Sequence, residues 1–491
     1  MRKTGLVADA PLLAAWLKQT SGEVTPFTIP GHKRAAGRLS AALGAVVAGD
    51  VPLYGGLDSV KLTAGVLSNA EARAASLWEA DWCRFSTGGS THANQALMMA
   101  IGRPGDAVLV ARSAHRSTLL GLVMAGLEPV WLPTEVDDRF GLPTGVGEAA
   151  LRKALASHPH AKAVFLVEPS YLGAVSDLAA LASLAHSADV PVLVDQAWGA
   201  HFGFHPDLPA HGISQGADAM VTSAHKTLPA YSQASILLAR SRRLDPDRLE
   251  RAFEAGNTTS PAGSILASTD GARALLAARG VELLGSLVNT VAAARKRLRQ
   301  IPGVLVPGPE DFLPGRFDPA KLVVVLAGSG ASGIDVEGDL LGAGVPVEMA
   351  DQDTVVPIVT IADTEHSVAR LIDTLTAAVV RHAGQPRPVA ASVQWGAVAV
   401  TAMTPRDAFF ADHDTVDAAA ADGRVCAEVV APYPPGVPVL VPGEVVTAEV
   451  MRSLHAMHAA GTRLAYAADP TLRTLQVVAA PTSRARREAS A

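Results

Sequence analysis

Short apolar runs alternate with stretches of helical spacing from about Leu57 to Arg240. The apolar runs lack polar alternation, which is typical of strands buried on both faces of a parallel sheet covered by helices. The pattern therefore predicts an α/β domain with a mainly parallel central sheet. Its predicted strands are DAVLVA at Asp106, PVWLP at Pro129, AVFLVEP at Ala163, PVLVDQA at Pro191 and DAMVTSAHK at Asp218.

The segments on either side of this domain have different patterns. PLLAAWLKQT, at Pro11, has helical spacing, and an irregular stretch around TPFTIPGHKR follows it. Beyond Gly303, two apolar segments read as strands and EHSVARLIDTLTAAVVRH reads as a helix, which indicates a second, small α/β domain. A last segment places a helix after PYPPGVPVLVPGE, and we expect the final TSRARREAS to be frayed. The expected division is an N-terminal arm over 1–56, a large domain over 57–300, a small α/β domain over 301–384 and a C-terminal domain over 385–491.

Composition and charge narrow the classes of function. The 491 residues have a net charge of −6, only 18% of them are charged, and no interior basic block is present, which argues against a nucleic-acid partner. We find no apolar run of membrane-spanning length and no signal peptide. Cys83 and Cys426 fit no disulfide or metal spacing. We therefore expect a soluble, cytoplasmic protein that binds no metal and acts on small molecules.

Polar residues directly follow several of the predicted strands. They are Glu168, Asp195 and the segment from Ser223 to Lys226. In a parallel sheet, ligands bind outside the carboxyl ends of the strands. Pro229 argues against a long helix after DAMV, so Lys226 is expected on a loop. A lysine in that place is either a solvated cation or a nucleophile held over a pocket.

Three features at these strand ends indicate a binding site only when they are considered together. The turn STGGSTHAN, at Ser86, offers backbone N–H groups and hydroxyls to a phosphate at a predicted helix start, although such turns are more often simple caps. Asp195 alone is more often a cap or salt-bridge partner, and Lys226 alone a surface cation. An amine, a carboxylate on a neighbouring strand and a phosphate-binding turn are together the parts that hold pyridoxal phosphate.

Eight motifs extend this reading over nearly the whole chain: TPFTIPGHKR at Thr25, STGGSTHANQA at Ser86, ARSAHRS at Ala111, VDQAWGAHFGFHP at Val194, TSAHKTLPAYSQAS at Thr222, TTSPAGSILASTD at Thr258, PRDAFF at Pro405 and PYPPGVPVLVPGE at Pro432. They resemble the motifs of the Orn/Lys/Arg decarboxylase family, in its short form without an N-terminal receiver-like domain. The resemblance implies the aspartate-aminotransferase-like fold (fold type I), a C-terminal decarboxylase domain and pyridoxal 5'-phosphate as cofactor. It also implies decarboxylation of lysine, ornithine or arginine to a diamine or agmatine, in amino-acid metabolism and polyamine biosynthesis.

The resemblance also implies four catalytic residues. Lys226 matches the lysine that binds the cofactor covalently, and Asp195 matches the partner of the pyridine nitrogen. His115 matches the histidine stacked on the cofactor ring, although alone it would read as a capping or core histidine. His225, next to the lysine, can reach the phosphate or the substrate carboxylate.

The remaining implied residues contact the cofactor. Ser90 and Thr91, after Gly89, match the hydroxyls of the phosphate cup, and Ser223 matches a further phosphate contact. Ala197 and Trp198 follow Asp195 and are expected beside the cofactor, although a tryptophan there can equally be core packing.

Several points depart from the family pattern or stay open. Short-form relatives usually have an acidic residue and a histidine where this chain has Gln196 and Trp198, whereas the large decarboxylases have tryptophan. LDSVKLTAG, at Leu57, lacks the histidine that relatives often have, and the acid that meets the substrate's distal cation could be Asp58, Glu168 or Asp407. Alternatives are aminotransfer, aldol cleavage or oxidative deamination on the same cofactor, and a cofactor-free regulatory or scaffold protein. TTSPAGSILASTD and PGHK resemble segments that reach a neighbouring subunit, which predicts a homodimer.

Overall fold

The structure is a computed structural model, and it describes residues 3–21, 30–33, 47, 49–53, 57–58, 65–240, 242–389, 399–433 and 436–480. A seven-stranded sheet has the strand order β1-β9-β8-β7-β6-β2-β3, and β4 and β5 form a separate hairpin. The strands are β1 (Trp82–Ser86), β2 (Ala107–Ala111), β3 (Glu128–Leu132), β4 (Thr134–Asp137), β5 (Leu142–Val146), β6 (Val164–Val167), β7 (Val192–Asp195), β8 (Ala219–Thr222) and β9 (Ser235–Ala239).

The predicted mainly parallel sheet is confirmed. Strands β3, β2, β6, β7 and β8 pair in parallel, and they correspond to the five strands predicted from the apolar runs. Only β9 runs antiparallel to both of its neighbours in this sheet. The carboxyl ends of β6, β7 and β8 therefore lie at one edge, where ligands bind in such folds.

Two strands of this sheet, β1 and β9, were not predicted from the apolar runs. The run in β1 is interrupted by Arg84, which pairs with Glu71 and Glu250 at the sheet edge. The β9 strand directly follows the polar TSAHKTLPAYSQ segment, so its short apolar run was not recognised as a separate strand. The two strands pair with each other, and their register sets Ser86 opposite Ser235. This pairing joins the glycine-rich turn after β1 to the segment that carries Lys226.

Helices cover both faces of the sheet. Successive side chains of a strand point to opposite faces, so strands that are apolar throughout need cover on both sides. In β7, Leu193 packs in one cluster with α4, α5 and α9, whereas Val192 and Val194 pack in another with α6 and α7. The helices are α1 (Lys3–Asp9), α2 (Pro11–Ser21), α3 (Val66–Leu77), α4 (Gly89–Ile101), α5 (Arg116–Ala125), α6 (Glu148–Ser157), α7 (Leu178–Ser187), α8 (Ala224–Thr227), α9 (Pro246–Gly256) and α10 (Gly263–Leu298). Helix α2 confirms the helical spacing of PLLAAWLKQT.

The long helix α10 corrects one expectation about apolar runs. It has 36 residues and an 18-residue window of mean hydropathy 1.3, so by length and composition alone it could cross a membrane. Buried core helices pass the same test, and a third of that window is buried. Asp270 within α10 is buried, pairs with Arg273 at 2.7 Å and accepts a hydrogen bond from the Leu12 N–H at 2.9 Å. These contacts hold the start of α2 against the N-terminal third of α10.

The segment after α10 forms a small three-stranded antiparallel sheet in the order β10-β12-β11. Helix α12 confirms the helix predicted from EHSVARLIDTLTAAVVRH. The strands are much shorter than the apolar segments that predicted them, and helix α11 was missed. The elements are β10 (Val324–Val325), α11 (Gly333–Gly342), β11 (Met349–Ala350), β12 (Thr354–Val356) and α12 (Glu365–Arg381).

The last segment differs from expectation at its end. The helix expected to be terminal is α14, but two strands follow it, and they pair with β13 and β14 earlier in the segment. The TSRARREAS tail lies outside the described residues, and the predicted division into an arm and three domains stays a prediction. The elements are α13 (Pro405–Phe410), β13 (His413–Asp417), β14 (Ala431–Tyr433), α14 (Ala448–Ala459), β15 (Arg463–Ala465) and β16 (Thr474–Val478).

Arg112, which directly follows β2, connects this last segment to the large domain. Its buried guanidinium donates to the carbonyl oxygen of Pro438 at 2.9 Å and to the carboxylate of Glu444 at 3.2 Å. Removing one partner of such a buried pair costs several kcal/mol, roughly 3–5, because the other charge stays buried. The contact therefore anchors the C-terminal segment to the large domain at Arg112, which is only three residues before His115.

Candidate active site

A cavity of about 470 Å³ lies at the carboxyl ends of β6, β7 and β8. Polar residues that end neighbouring parallel strands meet there because those strand ends share one edge. All ten predicted site residues line this cavity: Gly89, Ser90, Thr91, His115, Asp195, Ala197, Trp198, Ser223, His225 and Lys226. The structure thus brings the whole predicted set together, while the role of each residue stays a prediction.

Lys226 lies on a single helical turn, α8, and not on the loop that was expected. The turn forms because the Lys226 N–H donates to the Ser223 carbonyl at 3.2 Å and the Leu228 N–H donates to the Ala224 carbonyl at 3.0 Å. Pro229 then ends it, since proline has no N–H to continue the helix. The turn aims the side chain into the cavity.

The amine of Lys226 is in an unusual environment. Its Nζ lies 4.3 Å from the centroid of the Trp198 ring. Burial lowers the pKa of Lys226 below its ordinary value, while Asp195 and Glu348 act in the opposite direction. The lysine therefore has a larger neutral, nucleophilic fraction than a surface lysine would have.

Asp195 ends β7 with its side chain buried beside the cavity. One carboxylate oxygen accepts from the Ala197 N–H at 3.0 Å, and the other accepts from Nδ2 of Asn94 at 2.7 Å. Asn94 also donates to the hydroxyl of Ser117 at 3.1 Å. Asn94 was not predicted, although its position four residues after Ser90 in the STGGSTHAN motif places both on one helix face. The carboxylate is thus held in place and keeps acceptor capacity towards the cavity.

His115 both caps a helix and lines the cavity, so the two readings left open by the sequence are compatible. Its Nδ1 accepts from the Ser117 N–H at 3.2 Å at the start of α5. Burial lowers the pKa of His115; Asp195 opposes this effect, and Lys226 and Arg116 reinforce it. The ring is therefore mainly neutral at pH 7.

Hydroxyl groups cluster at the glycine-rich turn. Oγ of Ser90 lies 2.7 Å from Oγ of Ser223 and 3.1 Å from Oγ of Ser235. Gly89 has a φ of 68°, a left-handed conformation that favours glycine, and it begins α4. Hydroxyls beside a helix N-terminus form a site for an anion such as a phosphate. Ser235 was not predicted because it belongs to the missed strand β9.

His225 follows α8's first residue and is partly buried. Its Nδ1 lies 2.8 Å from the Ala234 carbonyl oxygen, which can only accept, so Nδ1 carries the hydrogen. Burial lowers the pKa of His225 below its ordinary value, and the hydrogen bond to Ala234 opposes this effect. Its Nε2 is therefore a neutral acceptor that can take up a proton.

Comparison with known proteins adds a family to this geometry. The family described as Orn/Lys/Arg decarboxylase, major domain, matches residues 10–310, and its C-terminal domain matches residues 392–464. The chain belongs to the Orn/Lys/Arg decarboxylase family. The recognition made from the eight motifs is thereby confirmed.

Individual members of the Orn/Lys/Arg decarboxylase family are similar over almost the whole chain. An arginine decarboxylase of Bacillus subtilis (strain 168) is 33% identical over 480 residues, covering 96% of this chain and 98% of that protein. An arginine decarboxylase of Halalkalibacterium halodurans is also 33% identical, over 481 residues, with coverages of 96% and 98%. A lysine decarboxylase structure from Francisella novicida has a TM-score of 0.79 at 19% identity and covers 96% of this chain and 81% of its own. This last likeness supports the predicted fold.

The ring of Trp198 contacts two lysines. Nζ of Lys321 lies 4.1 Å from the same ring centroid that faces Lys226. Lys321 lines a second, smaller cavity that Trp198 also lines. Burial, with a smaller effect of the Lys226 charge, lowers the pKa of Lys321 to about 8. Trp198 is therefore a cavity wall as well as core packing, and Lys321 was missed because nothing in its local sequence indicates burial.

None of the three acids considered for the substrate's distal cation lines the cavity. Glu168 accepts from the Ser176 N–H at 3.0 Å and from its hydroxyl, and burial raises the pKa of Glu168 to about 7. Asp58 accepts from the Leu67 N–H at 2.6 Å, and Asp407 is exposed on α13. Glu348 favours protonation of both Lys226 and Lys321, while Asp195 does so for Lys226 and Asp318 does so for Lys321.

Proposed function

We propose that the protein decarboxylates a basic amino acid (lysine, ornithine or arginine) with pyridoxal phosphate as its cofactor. The observation that carries the proposal is the meeting of the Lys226 amine, the Asp195 carboxylate and the serine cluster in one cavity of an Orn/Lys/Arg decarboxylase chain. The products are carbon dioxide and the corresponding diamine or agmatine. Because the two arginine decarboxylases above are similar over nearly their full length, arginine is the substrate to test first.

The residues of the cavity fit the proposed cofactor. Lys226 supplies an amine for covalent attachment, and the hydroxyls of Ser90 and Ser223 lie together at a helix start, where a phosphate is stabilised. Asp195 is held with free acceptor capacity, so it can pair with a protonated ring nitrogen. Asn94 has an amide oxygen that is buried without a hydrogen-bond partner among the described residues, which leaves an acceptor beside that position. When bound, pyridoxal phosphate acts as an electron sink for the bond that breaks at the substrate's Cα.

The remaining site residues orient groups and move protons. His115 and Trp198 line the cavity and would confine the ring of the cofactor. Asp195 keeps the ring nitrogen protonated in a partly water-excluded site, where such a charge interaction is strong. Once carbon dioxide has left, Cα needs a proton. The ammonium form of Lys226 would supply it, or His225 would do so after its Nε2 has taken up a proton from solvent.

A substrate panel tests the proposal directly. The purified protein with added pyridoxal phosphate is incubated with arginine, lysine and ornithine, and with alanine and glutamate as controls, while carbon dioxide and amine products are both measured. We expect carbon dioxide and the matching amine from at least one basic amino acid and none from the controls. Keto acid or ammonia without carbon dioxide would move the protein to aminotransfer or oxidative deamination. Lack of both turnover and visible cofactor absorbance would favour the regulatory alternative.

We also propose that the protein is a soluble, cytoplasmic homodimer whose sites lie at the subunit junction. The support is the resemblance of TTSPAGSILASTD and PGHK to family segments that reach the neighbouring subunit. Sedimentation at assay concentration should give at least twice the chain mass of 50.5 kDa. A fully active monomer in that experiment would rule the dimer out.

A further inference from the structure

His92 lies in the first turns of α4, beside Ser90 and Thr91. Its side chain is buried, with 6% exposed. Its Nε2 lies 2.9 Å from the Phe253 carbonyl oxygen, and its Nδ1 lies 2.8 Å from Oγ of Ser86. The imidazole therefore connects the end of β1, where the glycine-rich turn begins, to helix α9.

These contacts define the direction of each hydrogen bond when the imidazole is neutral. The Phe253 carbonyl can only accept, so His92 donates from Nε2 and accepts at Nδ1 from the Ser86 hydroxyl. The Ser86 oxygen in turn accepts from the Gly88 N–H at 3.1 Å. Burial lowers the pKa of His92, which favours this neutral form. The Ser86 oxygen also lies 3.3 Å from the Gly89 carbonyl oxygen, but Nδ1 of His92 at 2.8 Å is the nearer acceptor for the Ser86 hydroxyl hydrogen.

The chain of bonds determines which N–H groups of the turn are available. The Gly88 N–H is bonded to Ser86, and the Gly89 N–H donates to the Gln233 carbonyl at 3.1 Å. The next two N–H groups, those of Ser90 and Thr91, have no hydrogen-bond partner within the described part of the chain. They belong to the first turn of α4, where N–H groups point away from the helix and bind anions.

Two glycines pack closely against His92, and a larger residue at either position would collide with it. A Cβ added to Gly88 would lie 2.7 Å from Cβ of His92, and one added to Gly256 would lie 2.8 Å from its Cδ2. The Phe253 ring packs on the imidazole with centroids 4.6 Å apart. The ring is thus confined on several sides, and the position of its Nδ1 is well defined.

We propose that His92 is a positioning residue for the phosphate-binding turn: through Ser86 it fixes the Gly88 peptide, so that the N–H groups of Ser90 and Thr91 are directed at the cofactor phosphate. The inference rests on the proposed function, because the phosphate is that of pyridoxal phosphate. The two ring nitrogens have separate effects. The Nδ1 contact orients the turn, and the Nε2 contact stabilises the packing of α4 against α9.

Two substitutions separate these effects. In His92→Asn the amide oxygen can occupy the place of Nδ1 and keep the Ser86 contact, whereas in His92→Gln the longer amide can keep the Phe253 contact and loses that with Ser86. We expect H92Q to raise the dissociation constant of pyridoxal phosphate about tenfold, the effect of one lost hydrogen bond. H92N should bind the cofactor nearly as well as the unsubstituted protein. In urea unfolding of the cofactor-free protein the order should be reversed, with H92N the less stable variant.

Ser86→Ala gives a second line of test that leaves the His92 to Phe253 contact in place. It should weaken cofactor binding to a similar extent as H92Q, and the double variant S86A/H92Q should bind no more weakly than S86A, because the two residues act through one contact. Equal cofactor affinity in H92N, H92Q and the unsubstituted protein would overturn the inference. The inference would also be overturned if the variant with the larger loss of stability in urea were the one with the larger loss of cofactor affinity. If the unsubstituted protein itself binds no pyridoxal phosphate, the proposed function fails as well.

Discussion

Replacing Lys226 by alanine should lower kcat by more than about 10³-fold. Loss of a positioned proton-transfer group alone costs roughly 10²–10⁴-fold, and Lys226 is also the group proposed to hold the cofactor covalently. The half-buried amine over Trp198 has a lowered pKa, so a larger fraction of it is neutral and nucleophilic than of a surface lysine. Turnover of the best substrate in the panel, at saturating pyridoxal phosphate, measures the effect.

Borohydride reduction of the loaded enzyme tests the same assignment without relying on turnover. The mass of the reduced cofactor should appear on the peptide that contains Lys226. Lys321 provides a matched control, because it is a buried lysine with a lowered pKa facing the same indole. The variant K321M should keep the label on Lys226, and K226A should lose it. A label on Lys321, or full turnover by K226A, would show that the central assignment is wrong.

The second large effect is expected at Asp195. Asp195→Asn should lower kcat by about 10²–10³-fold, because an oriented charge that stabilises the developing electron density is replaced by a neutral amide. The fold should tolerate the change. Asn94 can turn its amide to offer the oxygen that now has no partner, so the contact between the two side chains persists. Cofactor binding, followed by visible absorbance, should therefore remain.

Asp218 is a matched control for this substitution, because it is also buried and directly precedes β8, at the opposite edge of the sheet. It pairs with His186 at 2.7 Å and accepts from the Val192 N–H at 2.8 Å. Asp218→Asn should lower the free energy of unfolding and leave kcat nearly unchanged. Equal losses of kcat in D195N and D218N would mean that Asp195 acts only through the stability of the sheet.

The sequence predicted much of the sheet because buried parallel strands appear in it as continuous runs of apolar residues. Five continuous apolar runs became β2, β3, β6, β7 and β8, and the polar residues after them came together at one edge. The strands β1 and β9 left weaker marks, since one contains Arg84 and the other is short and follows a polar segment. Lys226 was expected on a loop, because a single helical turn has too few residues to show a periodicity.

Side-chain contacts between residues that are far apart in the sequence could not be predicted from local sequence patterns. Glu168 was considered as a substrate-binding acid because it follows a strand, but it is turned towards Ser176, eight positions later. Asn94 and His92 lie in the STGGSTHANQA motif, yet their partners Asp195 and Phe253 are 101 and 161 positions away. Burial and partner decide what such a side chain does, and neither follows from the residues next to it.

The sequence by itself determined the α/β class, the mainly parallel sheet, the family and the ten residues that meet in the cavity. These properties depend on residue types at strand ends and on motifs, which are local. Only the tertiary structure decided how the site is assembled. The antiparallel pairing of β1 with β9 brings Ser90 to 2.7 Å from Ser223, 133 positions later. Such pairing depends on how the whole sheet closes and on which surfaces are buried together, and periodicity within a short window does not encode it.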